Sequence, residues 1–217
     1  MIKKTVLLLF LPLLLSAATV DKELLEAIKK NDPQGVEKAL RSGANPNYVV
    51  LQGEDRGITP LMVAVYGKNL RIIQSLLEAG SDPNYTLAEG KYKGFSVLLF
   101  ALSTQNQEII QLIINAGANV NHILSDKQLN GISMLMLAIK SKQLQATKSL
   151  LAKGAKVNYQ VPKESNSPAL REKTALDFAY ETKNQDMIDL VLKAGGKKGR
   201  ELSSGSSVQS QDSWYDL

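Results

Sequence analysis

The sequence predicts an all-α repeat solenoid, about five stacked helix–turn–helix units with a hairpin finger between neighbours. Three observations predict it. Gly43, Gly80, Gly117 and Gly154 stand 37 residues apart, and Asn47, Asn84, Asn121 and Asn158 keep the same interval. A short apolar block opened by Thr59, Ser96, Ser133 or Thr174 precedes Gly80, Gly117, Gly154 and Gly195 respectively. Between block and glycine runs a second apolar pattern at helical spacing, as in Ile72/Ile73 with Leu76/Leu77. A period of roughly 20–50 residues marks units that bury their apolar faces only by stacking.

The chain opens on Met1-Ile2-Lys3-Lys4, then an apolar run from Thr5 to Leu15 broken at Pro12, then Ser16-Ala17-Ala18. A basic start, a short apolar stretch and small residues read as a secretory signal over 1–18, cleaved after Ala17 or Ala18. The run is shorter than the roughly 20 residues that span a bilayer. No cysteine follows it, so no lipid anchor is expected. The leader points to a periplasmic or secreted protein with no stable membrane span after cleavage.

The array is expected over 19–199, in units of about 19–56, 57–93, 94–130, 131–172 and 173–199. The first unit keeps a short helix with Leu24, Ala27 and Ile28, and the closing Gly43-Ala44-Asn45-Pro46-Asn47. The second opens Thr59-Pro60-Leu61-Met62-Val63-Ala64. Thr59 caps the helix by accepting a free N–H, and Pro60 at the first helical position loses nothing by lacking one. Leu61/Ala64, Leu98/Ala101, Leu135/Ala138 and Leu176/Ala179 fall on one buried face. Gly80, Gly117 and Gly154 end the second helices in the left-handed conformation. The fourth unit has Ala146/Thr147 where others carry isoleucine pairs, so its second helix is expected to pack most weakly.

These units resemble the ankyrin repeat, whose first helix opens T-P-L-H-x-A. The motif histidine is replaced here by Met62, Leu99, Met136 and Asp177. The resemblance implies a binding module that engages folded proteins through its fingers and the concave face formed by its first helices.

Ankyrin units repeat at about 33 residues; these repeat at 37. The surplus of four falls between the asparagine and the next helix cap, in the fingers. From Asn158 to Thr174 the gap widens to 16 residues with Pro162 and Pro168. Insertions of this kind map to loops on one face, often the binding face. Tyr48, Tyr85, His122 and Tyr159 share one finger register, and Ile58, Phe95 and Ile132 recur on the returning side. Val49-Val50, Thr86-Leu87, Ile123-Leu124 and Gln160-Val161 are strand formers. Two readings of this ladder stay open: rungs that grip a partner, or rungs that stack and stiffen the fingers. Tyr66, Ser103, Lys140 and Glu181 share an exposed register on the first helices. The candidate partner-binding set is therefore Tyr48, Tyr85, His122, Tyr159, Ile58, Phe95, Ile132, Tyr66 and Lys140.

Composition narrows the chemistry. The 217 residues include no cysteine and one histidine. Disulfides, thiol catalysis and multi-histidine metal centres are excluded. The formal charge of +5 is spread along the chain, which does not suggest nucleic acid. No motif places a nucleophile beside a base. The expected function is a non-catalytic, monomeric protein-binding scaffold with neither cofactor nor metal. The alternative is a haem-type small-molecule carrier assisting a periplasmic enzyme, using the Tyr/His register and Tyr92. Residues 200–217, rich in Ser, Gly and Gln and ending Trp214-Tyr215-Asp216-Leu217, are expected to form a disordered tail.

Overall fold

A computed structural model of the chain describes residues 19–53, 56–88, 93–125 and 131–205. The leader, the finger tips with Tyr92, and residues 206–217 lie outside the described residues. The chain forms two compact units, Met1–Ala118 and Asn119–Leu217. The first holds three helix pairs: α1 (19–29) with α2 (Pro33–Arg41), α3 (Pro60–Gly67) with α4 (Leu70–Glu78), and α5 (Val97–Thr104) with α6 (Gln107–Asn115). The second holds α7 (Met134–Lys140) with α8 (Leu144–Ala152), a 3-10 turn at Pro168–Leu170, α9 (Ala175–Thr182) with α10 (Gln185–Lys193), and α11 (Gly199–Gly205).

Each unit repeats one packing scheme. In the first, α3 packs on α4 and α5, α5 on α6, and α4 lies between α2 and α6. In the second, α7 packs on α8 and α9, α9 on α10, and α10 on α8. The first helix of a pair is apolar on most sides because it is enclosed: Leu61, Met62, Ala64 and Val65 of α3 are all buried. The second helix is two-faced, with Ile72, Ile73 and Leu76 of α4 inward and Arg71 and Gln74 in solvent. Burial of one such Leu or Ile is worth about 1.5–3 kcal/mol. Ala64, Ala101, Ala138 and Ala179 are buried to 1 % exposure or less, which lets successive first helices approach.

The local signals work as their chemistry requires. Thr59, Ser96 and Ser133 accept from the N–H groups of Met62, Leu99 and Met136 at 3.4, 3.3 and 3.2 Å. Met62 and Met136, at the motif histidine position, are 1 % exposed and fill core space instead. Asp177, at the same position, reaches back to the Thr174 N–H at 2.9 Å. Within pairs the chain turns through a left-handed residue: Lys68, Gln105, Lys142 or Lys183, with φ of 54 to 58°. Asn69, Asn106 and Asn184 then cap the second helix by accepting from Ile72, Ile109 and Met187. Gln143 takes that place before α8 and provides no side-chain cap.

Among the described residues the finger bases show the isolated antiparallel bridges Thr86↔Ser96 and Ile123↔Ser133, and the finger tips lie outside those residues. One expectation is corrected: the segment after Gly199 is not wholly irregular, since Gly199–Gly205 forms α11. The Gly199 N–H donates to Asp177 Oδ2 at 2.8 Å, and the Gln160 amide donates to the Gly199 carbonyl at 3.0 Å. A Cβ at Gly199 would stand 1.7 Å from the Glu172 carbonyl oxygen, so only glycine fits this approach.

Candidate functional site

The fingers are built at their bases by one repeated bond pair. Val50, Leu87, Leu124 and Val161 donate their N–H groups to the carbonyls of Ile58, Phe95, Ile132 and Lys173 at 2.9 to 3.1 Å. Their own carbonyls accept from Gly57, Gly94, Gly131 and Glu172 at 2.7 to 2.9 Å. The closing residue needs a left-handed backbone, with φ of 89, 84 and 89° at the three glycines. Glu172 holds φ 59° in the fourth finger without that freedom. Leu87, Leu124 and Val161 are buried to 3 % exposure or less, so the apolar finger residues act as plugs of the core.

The periodic asparagines tie each pair to the next within a unit. Asn47 donates from Nδ2 to the Gly80 carbonyl at 2.9 Å and accepts the Asp82 N–H at 2.7 Å. Asn121 repeats this on Gly154 and Lys156 at 3.2 and 2.8 Å, and Asn158 on Gly195 and Lys197 at 2.9 and 2.8 Å. Asn84 donates to the Gly117 carbonyl at 3.1 Å. The acceptors are carbonyls that a helix end leaves without an internal partner. Sequence reading marks the asparagine period but assigns it no role. The offset from Asn47 to Gly80 recurs from Asn84 to Gly117, and that constant spacing is the signal.

The predicted ladder divides. Tyr48, Tyr85, His122 and Tyr159 are all half-buried. The Tyr85 hydroxyl donates to the Gly57 carbonyl at 3.0 Å, tying the second finger to the base of the first. The carbonyls of Tyr85 and His122 accept the first N–H of α5 and α7, from Val97 at 3.4 Å and Met134 at 3.3 Å. Burial holds the Tyr159 phenol above its usual ionisation range. On the returning side Ile58 and Phe95 are half-buried, and Phe95 meets Phe100 edge-on at 6.3 Å between centroids. Ile132 has 0 % exposure and offers a partner no surface. These contacts are made within the fingers and with the helices they enter.

The accessible members of the set lie on the first helices. Tyr66 on α3 is 77 % exposed. Ser103 on α5 is exposed in the same unit. In the second unit Lys140 on α7 is exposed, and Glu181 on α9 pairs with Lys173. Leu51, in the first finger, is 69 % exposed and was not among the predicted residues. Its neighbours Val49 and Val50 mark the strand-forming register, and Leu51 follows the Val50 bond pair at the base.

Paired helices joined by short turns, repeated with capped starts and glycine ends, define a helical repeat protein. Residues 24–123 match the family model of ankyrin repeats in three copies. Ankyrin repeats generally mediate protein–protein interaction and are typically non-catalytic. Comparison with curated proteins gives no match. No group of three or more metal-ligating side chains occurs among the described residues. No helix among them is long and apolar enough to cross a membrane.

Proposed function

We propose that the chain is a non-catalytic ankyrin-type scaffold of about five repeats, exported by a cleaved leader and acting on a protein partner in the periplasm. The contact surface lies in the unit up to Ala118, on the exposed first-helix register and the first finger: Tyr66 and Leu51. The exposure of Tyr66 carries this reading, supported by the general use of ankyrin repeats. An aromatic ring left in solvent is a large, rigid contact of the kind that dominates interfaces. The half-buried ladder supports that surface by stiffening the fingers.

The test is capture of the partner from periplasmic extract on the mature chain, followed by affinity measurements. Tyr66→Ala is expected to weaken binding about 10- to 30-fold, as a hot-spot truncation of about 2 kcal/mol does, with the melting temperature unchanged. Tyr85→Ala is expected to lower the melting temperature, because it removes the Gly57 tie. Undiminished affinity in Tyr66→Ala with Leu51→Ala would sink this assignment. Mass spectrometry of exported protein is expected to show a first residue following Ala17 or Ala18.

A further inference from the structure

We propose that the turns at the ends of α8 and α10 form a lysine edge that docks on an anionic lipid surface. This goes beyond the protein-binding reading above and uses residues outside the first-helix register. Lys153 and Lys156 follow α8, Lys193 closes α10 and Lys197 follows it, and all four are exposed. Asn158 holds the two turns side by side. Its amide donates to the Gly195 carbonyl at 2.9 Å and its oxygen accepts the Lys197 N–H at 2.8 Å.

Two of these lysines stand where the fold has another use for the position. The three preceding turns place Asn45, Asp82 and Asn119 two residues after the closing glycine, as Lys156 and Lys197 stand after Gly154 and Gly195. Those side chains accept the N–H groups of Asn47, Asn84 and Asn121 at 2.9, 2.8 and 3.0 Å, which fastens the turn. A lysine has no acceptor to offer, so both turns forgo that bond. Natural sequences break such local rules chiefly at functional positions. Lys153 and Lys193 suit helix ends, whose carbonyls favour cations, and add to the same field.

The charge of the edge is not offset by the fold. Among the described residues none of the four lysines forms an ion pair, whereas Lys163 and Lys173 of the same unit pair with Glu172 and Glu181. Asp189, one turn before Lys193, accepts the Gln185 amide at 2.7 Å, and Glu201 accepts the Lys198 N–H at 3.4 Å. No Asp or Glu occurs between Asp126 and Glu164. In the unit up to Ala118 the charged residues of the corresponding turns are Arg41, Glu78 and Asp82, so the uniformly positive edge belongs to the second unit alone.

The residue type narrows the anion. A lysine ammonium is a compact point charge on a flexible stem and suits phosphate, whereas two-bond recognition of carboxylates favours arginine. Four such charges on exposed, adjoining turns match a layer of lipid headgroup phosphates, which attracts each nearby lysine separately.

The experiment is vesicle sedimentation with residues 19–217, which keep every described element and lack the apolar run of the leader. Vesicles of phosphatidylcholine with about one third phosphatidylglycerol are expected to bind half the protein at about 1–2 mM lipid, each lysine contributing about fivefold. Binding is expected to weaken at least tenfold from about 50 to 300 mM salt. Lys156→Asn with Lys197→Asn is expected to weaken it about 25-fold while the melting temperature holds or rises, because asparagine restores the turn bond. If that variant misfolds, Lys153→Gln with Lys193→Gln serves, with about 25-fold weakening expected. Equal binding to pure phosphatidylcholine vesicles, or unchanged affinity in the folded variants, would overturn the proposal. So would loss of vesicle binding in millimolar inorganic phosphate at constant ionic strength, which would assign the edge to a small anion. Displacement by hexaglutamate at lower concentrations than by lipid would also overturn it and assign the edge to an acidic protein. None of these readouts involves Tyr66 or a captured partner, so failure here is separate from failure of the first-helix surface.

Discussion

Asn47 makes two bonds from one short side chain: its amide nitrogen donates to the Gly80 carbonyl and its oxygen accepts from the Asp82 N–H. Asn47→Ala removes both and is expected to cost about 1–2 kcal/mol, read as a lower urea midpoint at constant slope. Asn47→Asp keeps the acceptor and loses the donor, so it should fall between wild type and alanine. A second residue-scale outcome concerns alkali. Burial raises the Tyr159 phenol in the folded state, so the unfolded chain gives up that proton first. The stability this group contributes is full below about pH 10 and is lost as pH rises from there through the folded value. Tyr159→Phe should therefore soften the alkaline decline in melting temperature while leaving it unchanged near pH 8. Much at this scale was legible from sequence: Thr59, Ser96 and Ser133 cap as their chemistry demands. The burial of Ile132 was not. Its alternation with Gly131 and Ser133 looks the same whether a side chain points into the core or away from it.

Among elements, α8 is the one whose sequence fits its role least. Its cap residue is Gln143 rather than asparagine, and it buries Ala146 and Thr147 where α6 buries Ile109 and Ile110. The Thr147 hydroxyl turns back to the Gln143 carbonyl at 2.9 Å and so stays bonded, but it brings little apolar area. Gln143→Asn is expected to stabilise by about 0.5–1 kcal/mol, seen as slower amide exchange in α8. In the wild type, α8 amides should exchange faster than those of α4 and α6; slower exchange would contradict its weak packing. α11 stands at the other extreme, a helix with no apolar period, and sequence reading missed it for that reason. It exists through long-range contacts of Gly199, Gln160 and Asp177, which no local pattern announces. Gly199→Ala forces a methyl against the Glu172 carbonyl and is expected to cost about 1–3 kcal/mol, with earlier proteolysis after Lys198. The order of the helix pairs, by contrast, was legible, because first-helix caps and closing glycines recur in phase.

For the molecule as a whole, the number of helix pairs per compact unit sets an expectation about independence. Residues up to Ala118 include three pairs, and those from Asn119 include two pairs with α11. About three repeats are needed for a stable array. A fragment of residues 19–118 should therefore unfold cooperatively in urea, with a slope of about 1 kcal/mol/M or more. The fragment 119–205 should show a shallower transition at lower denaturant. A helical but non-cooperative 19–118 fragment would break this expectation. The fingers add a consequence of another kind. The same bond pair closes a loop from Val50 to Gly57, seven positions on, and one from Val161 to Glu172, eleven positions on. The clasp is thus indifferent to what it encloses, and doubling the enclosed length adds only about 0.6 kcal/mol of closure entropy. Recognition loops of new length and sequence could be spliced at these tips, by evolution or by hand, without renegotiating a single helix contact.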